Sequence, residues 1–330
     1  MMRKQVAGTL AAIIVALCVG VMAHGAMAQG TADSAKVYTQ SGRDLANAKK
    51  FDEALAAFDR AITLDPSYED AWRGKGAVLW LMDKQPEALA ATEKAIELKG
   101  DDVKAWLNKG RIYLRMGKNE DALQAFEHVT TLDANNEDAL MGQFVTLREL
   151  KRPDDMLKAL DRLIALKPSD PERWLRKAME SAEAGKYDES LAAFDRLTVL
   201  QPDSAMNWIG KGQVYTAMKR YDDAVAALDK ATTIAPGSAN AWSLRGVVLS
   251  GAKKYDEAIA SYDRANSLEP KNAEVLYNRA CAWSLKGDKA KALADLQSAI
   301  SIESSIKSAA PQDKDFQSLW NDPEFKKLTE

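Results

Sequence analysis

Two histidines, His24 and His128, and two cysteines, Cys18 and Cys281, are the whole supply of imidazole and thiol in this chain. Multi-histidine metal centres, four-cysteine zinc sites and a disulfide framework are therefore out of reach. There is no Gly-x-x-x-x-Gly-Lys-Ser/Thr loop to cradle a phosphate and no His-Glu-x-x-His zinc helix. A histidine-based triad would have to use His128 alone, and His128 falls where Arg60, Lys94, Arg162 and Arg196 recur, on an expected solvated helix face. The stretch Asp133-Ala134-Asn135-Asn136-Glu137 has the acids and amides of a calcium loop. Asp138 stands where such a loop needs glycine, however, and Phe144 where it closes with an acid. No catalytic residue, metal site or cofactor is assigned, and the expected role is non-enzymatic.

The chain is 46% apolar and 28% charged, a globular composition, and its net charge of −3 supplies no broad basic face for nucleic acid. Its 330 residues allow two ordinary domains or one long array. Residues 1–28 read as a signal peptide. Arg3 and Lys4 precede an uncharged run, Val6 to Ala23, and Ala26-Met27-Ala28 offers the small residues that signal peptidase accepts. Cleavage after Ala28 leaves Gln29 first in an exported protein, periplasmic or secreted, with no membrane contact afterwards. The competing reading is an uncleaved N-terminal anchor with the rest extracytoplasmic. Cleavage also removes Cys18 and His24, so Cys281 has no internal disulfide partner in an oxidising compartment.

After a short linker, 29–34, the chain repeats every 34 residues. Trp72, Trp106, Trp174, Trp208 and Trp242 share one column, position 4 of a unit that starts at Ala35. Position 8 holds Gly42, Gly76, Gly110, Gly212 and Gly246; position 20 is mostly alanine, as in Ala54, Ala88 and Ala122. Position 24 holds Phe58, Phe126, Phe194 and Tyr262, and position 32 holds Pro66, Pro168, Pro202, Pro236 and Pro270. The units are 35–68, 69–102, 103–136, 137–170, 171–204, 205–238, 239–272 and 273–306, without an insertion or deletion. Positions 4, 8 and 11 form one helical stripe and 20, 24 and 27 another, so each unit is a helical hairpin. A hairpin with one apolar face cannot bury it alone, and stacking supplies the core. The acids Asp52, Asp154, Asp188, Asp222 and Asp256 are placed to cap the second helices. In the fourth unit Phe144, Met156 and Leu163 replace small residues, and a local change of curvature is expected there. Residues 307–330 drop the period. Phe316, Leu319 and Trp320 suggest a short amphipathic helix and Asp322-Pro323 the start of another, together a cap on the last repeat.

These columns resemble the tetratricopeptide repeat. The resemblance implies an all-α fold, an α-solenoid forming a right-handed superhelix of helix-turn-helix repeats with a C-terminal capping helix. It also implies that the first helices line a concave groove through positions 2, 5, 6, 9, 12 and 13. In this chain those positions give a groove of Arg73, Trp80, Lys104, Leu107, Asn108, Arg111, Met141, Val145, Leu175, Met179 and Ile209. It would be basic and amide-bearing early and apolar through the third to sixth repeats, suited to an extended peptide or partner helix. The family's carboxylate clamp is not matched: of Arg73, Ala77, Asn108, Asp138 and Gly142 only Arg73 and Asn108 fit, and Asp138 reverses a charge. The expected function is a protein-protein interaction scaffold for a peptide or partner protein. Self-association into an extracytoplasmic assembly is the alternative. Cys281 is expected to pack beneath Trp283 and the cap.

Overall fold

The computed structural model describes residues 30–330, and the signal peptide read in residues 1–28 lies outside them. Every regular element among the described residues is helical. They form two compact bodies, 30–166 and 167–330, each a stack of antiparallel helical hairpins, so the chain is an all-α solenoid. In the first body α1 (residues 30–47) pairs with α2 (Phe51–Leu64), α3 (Glu69–Leu81) with α4 (Gln85–Leu98), α5 (Val103–Arg115) with α6 (Asn119–Leu132), and α7 (Glu137–Glu149) with α8 (Pro153–Leu166). In the second, α9 (Pro171–Glu183) pairs with α10 (Tyr187–Leu200), and α11 (Ala205–Ala217) with α12 (Tyr221–Ile234). There α13 (Ala239–Gly251) pairs with α14 (Tyr255–Leu268), and α15 (Ala273–Lys286) with α16 (Lys289–Ile302).

Each hairpin turns at position 15, where the backbone is left-handed at Lys49, Asp83, Gly117, Lys151, Gly185, Lys219, Lys253 and Gly287. The next amide then donates back to the first helix, as Lys50 N does to Leu45 O and Lys118 N to Tyr113 O, both at 2.9 Å. This closure corrects the expected capping of the second helices. Asp52, Asp188, Asp222 and Asp256 lie inside the first turn, while Lys50, Lys186, Arg220 and Lys254 occupy the cap positions without a side-chain cap. Asp154 likewise lies inside the first turn of α8. The acids act on the positive helix end by charge alone. Side-chain caps fall mainly on first helices, from Asp102, Asn136, Asp170, Ser238 and Asn272, while among second helices Asp288 caps α16.

The position-4 tryptophans fill space and also latch the preceding turn. The indole N–H of Trp72, Trp106, Trp174 and Trp242 donates to the carbonyl of Pro66, Gly100, Pro168 and Pro236 at 2.8–3.0 Å. These tryptophans are half-buried, and the turn carbonyl gives each indole N–H a partner.

The joints between hairpins depend on position 24. The Phe126 ring lies between Gly110 of its own hairpin and Gly142 of the next, so that an added Cβ at either glycine would stand 2.6 Å from ring carbons. Phe58 is held the same way between Gly42 and Gly74, and Phe194 abuts Gly210. Thus Phe at position 24 recurs with Gly at position 6 of the following repeat. The fourth repeat is bulkier: Phe144 takes the small-residue site, Leu160 stands at position 24, and Phe144, Met156 and Leu163 are all buried. The hairpin α7–α8 keeps the 13- and 14-residue lengths of its neighbours, so the added bulk is taken up without a change of helix length.

After α16 come α17 (Ile306–Ala309), two 3₁₀ turns at Ala310–Gln312 and Lys314–Leu319, and α18 (Pro323–Thr329), capped by Asp322. The segment holding Phe316 and Leu319 is 3₁₀ rather than the expected α-helix. Phe316, Leu319 and Phe325 are buried against α15 and α16, whereas Trp320 stays exposed.

Candidate functional site

In the first body, the first helices α1, α3, α5 and α7 border a cleft of about 740 Å³. Phe58, Val78 and Leu107 are the buried apolar residues of its lining, and Arg43, Asn47, Asp70, Arg73, Lys104, Asn108, Arg111 and Asp138 its polar ones. The polar side chains come from repeat positions 2, 5, 6, 9 and 13 of the first helices, which a helix of 3.6 residues per turn gathers on one face, and Phe58 reaches the cleft from α2.

The charges are divided unequally between structure and solvent. Arg73 spans two aspartates, donating to Asp70 and Asp102. Arg43 Nη2 donates to Asp70 Oδ2 at 2.8 Å. Asp102 is 5% exposed and also accepts from Lys104 N and Ala105 N at 3.0 and 3.2 Å, capping α5. The Arg111–Asp138 pair, at 3.2 Å, is well exposed and worth at most about 1 kcal/mol. Among the described residues, the side chains of Asn47, Lys104 and Asn108 have no hydrogen-bond or ion-pair partner. Arg73, expected to face a ligand, is therefore a strut, and the groups open to one are Lys104 and the two amides.

Burial pushes the Asp70 carboxyl up, but the hydrogen bond from Arg43 and the charges of Arg73 and Arg43 outweigh it and hold the group below its ordinary 3.8. A carboxyl with a lowered folded pKa stabilises the fold above 3.8, and that contribution disappears as pH falls through the folded value. The thermal midpoint of wild type is expected to fall on acidification below pH 4 more steeply than that of Asp70→Asn. Equal slopes in a melting series from pH 6 to pH 2 would contradict this.

The apolar groove residues are divided too. Leu107, 6% exposed, packs with Ala122, Phe126, Val129 and Ala139, and Ile209, 4% exposed, packs with Ala224, Leu228 and Ala241. Both sit at position 5, on the border between groove face and joint, and here the joint takes them. Trp80 is outside the cleft lining. It packs against Leu79, Ala88, Ala91 and Ile112, with the Arg115 guanidinium 5.7 Å from its ring centroid. Val145 is half-buried, and Met141, Leu175 and Met179 are exposed. Leu107 and Ile209 are thus drawn into the packing, whereas Met141, Leu175 and Met179 remain at the surface. Sequence reasoning missed Asn47 and Asp70, although their repeat positions, 13 and 2, were already groove positions.

His128 is not simply solvated: its ring lies 4.1 Å from that of Trp106. Cys281 is buried beneath the cap, with Sγ 3.9 Å from Asp313. Tyr277 donates to the same carboxylate at 2.6 Å. Burial, then Asp313 and Asp315, push the Cys281 thiol far up and keep it protonated, hence a poor nucleophile.

Profiles of the tetratricopeptide repeat match residues 39–103 and 175–239, 103–136, and 239–272, together more than half of the chain. No curated protein matches the chain. Similar solved structures include a tetratricopeptide repeat protein from Parabacteroides merdae, 18% identical over 75% of this chain and 98% of that one, with a TM-score of 0.47. MamA from Desulfovibrio magneticus is 22% identical over 51% of this chain and 96% of its own, with a TM-score of 0.45. YrrB, described as a TPR protein with an unusual peptide-binding site, is 26% identical over 60% and 98%, with a TM-score of 0.45. On the repeat profiles and the helical hairpins that carry them, the chain belongs to the tetratricopeptide repeat family.

Proposed function

We propose that the chain is a non-catalytic interaction scaffold, exported by the signal in residues 1–28, whose first-helix faces hold a peptide or a segment of a partner protein. One observation carries this reading. The cleft of the first body presents Asn47, Lys104 and Asn108 without protein partners, beside the apolar side chains of Ala46, Ala77 and Leu81, the last 51% exposed. Polar groups free of protein partners beside accessible apolar surface suit a ligand that supplies both hydrogen bonds and apolar contact. The chemistry available also favours binding over catalysis, because the one described imidazole rests on Trp106 and the one described thiol is buried and protonated.

Lys104→Ala with Asn108→Ala is the direct test, since both side chains are at the surface and neither belongs to a packed cluster. Leu107→Asp would be a folding lesion rather than a surface probe. Crosslinking followed by affinity capture is expected to recover at least one protein at least tenfold less efficiently with the double variant than with wild type. Identical recovery would contradict the cleft as the binding face. Light scattering that shows concentration-dependent oligomers in both would favour self-association instead.

A further inference from the structure

At the C-terminal end of the second body, the turn Lys314–Leu319 folds back on α15 and brings Asp313 and Asp315 onto Cys281. The thiol sulfur and one oxygen of each carboxylate all lie within 4.8 Å of one another. Asp315 follows Cys281 by 34 residues, one repeat length, so the two share position 9 of successive units.

The surroundings hold this cluster firmly. Phe316 is fully buried, and its ring meets that of Tyr277 edge-on with 5.6 Å between centroids. Ser284 Oγ donates to the Asp315 carbonyl at 2.7 Å and pins the turn to α15. Asp313 Oδ1 accepts from Asp315 N at 2.9 Å, and Asp313 Oδ2 accepts from the Tyr277 hydroxyl at 2.6 Å. Outer contacts of this kind fix the direction in which a ligating carboxylate points.

What the cluster lacks is positive charge. Asp322 and Glu324 of the same cap pair with Lys289. Among the described residues, Asp313 and Asp315 have no ion-pair partner. The Cys281 side chain is 7% exposed, and its one side-chain hydrogen-bond contact is the long one to Asp313 Oδ2 at 3.9 Å. A thiol more than nine-tenths buried therefore points at two carboxylates with no counter-charge between them. Both carboxylates are half-buried rather than enclosed, which leaves a small ion a way in from solvent.

We propose that Cys281, Asp313 and Asp315 bind one divalent cation of the zinc type, which fastens the C-terminal cap to the last repeat. In a tetrahedral zinc site sulfur lies about 2.3 Å and oxygen about 2.1 Å from the metal, so ligand atoms stand about 3.5 Å apart. The 3.9 Å between Cys281 Sγ and Asp313 Oδ2 needs only a small closure to reach that spacing. Water completes the fourth position. A thiolate ligand selects zinc over calcium and magnesium, which take oxygen donors. The thiol proton passes to solvent as the metal binds. One thiol with two carboxylates thus serves where the chain has neither the histidines nor the cysteines of the commoner zinc sites.

Calorimetric titration of the full chain with zinc chloride, after stripping with EDTA and dialysis, tests this. One ion per chain is expected, with a heat that varies with the buffer because a proton is released, and with a thermal midpoint raised by zinc. Cys281→Ala and Asp315→Asn should each weaken binding at least about tenfold and remove the zinc-dependent rise of the midpoint. Asp315→Asn keeps the side-chain volume and the backbone contacts of the turn, so it serves if Cys281→Ala melts early. Cobalt chloride should give a thiolate charge-transfer absorption with wild type that Cys281→Ala lacks. His128→Ala, in the first body, should bind zinc as wild type does. No saturable binding at one ion per chain, or cobalt bound without the thiolate absorption, overturns the proposal. So does zinc affinity that is unchanged in both cluster variants or lost in His128→Ala.

Discussion

Gly142→Ala lowers stability by about 1–3 kcal/mol, although alanine is the better helix former. In an open helix the substitution would gain up to about 1 kcal/mol. Here the new Cβ would stand 2.6 Å from the Phe126 ring, which Gly110 closes from its other side. The ring is 1% exposed and has no free direction in which to yield. Steric overlap therefore outweighs propensity. Phe126→Leu introduced into the Gly142→Ala background should recover part of the loss, because the smaller side chain leaves room for the methyl group. Urea denaturation followed by circular dichroism checks both statements. A midpoint for Gly142→Ala equal to or above that of wild type would show that the ring does not wedge the joint. Since each hairpin in a repeat array leans mainly on its neighbours, the lesion should also broaden the transition.

Asp102→Ala should cost more, about 3–5 kcal/mol, because it removes one partner of a desolvated ion pair and strips the cap from α5. Arg73 would keep Asp70, itself shared with Arg43, and lose its most buried counter-charge. Asp102→Asn separates the two contributions. Its side-chain oxygen can still accept from Lys104 N and Ala105 N, so only the ion pair is lost, and an intermediate midpoint is expected in the same urea titration. If Asp102→Asn is as stable as wild type, Arg73 is not a strut, and its guanidinium returns to the groups available for a ligand.

The fold was legible because each repeat reuses one joint, and a joint reused at fixed spacing leaves columns such as the position-4 tryptophans and position-32 prolines. What the columns do not carry is pairing between different columns. Phe126 and Gly142 belong to positions 24 and 6 of successive repeats, and their relation shows only once the second helix of one repeat is laid on the first helix of the next. The alternation of Phe58, Phe126 and Phe194 with Gly74, Gly142 and Gly210 was a signal that could have revealed it. The groove was legible as a face but not in its allotment. Counting charges made Arg73 a ligand contact, whereas the last residue of its own repeat, Asp102, claims it. Position 5 likewise has no fixed fate. Leu107 and Ile209 are drawn into the joint, while Met141 and Leu175 are left at the surface.

The central claim is that ligands meet the first helices of each hairpin rather than the second. Hydrogen–deuterium exchange of the chain, alone and saturated with a partner recovered by affinity capture, tests it most directly. The account predicts slowed exchange within 69–81 and 103–115, whose side chains line the first-body cleft. The second helices at 85–98 and 119–132 should be unchanged. Protection confined to those second helices would contradict it.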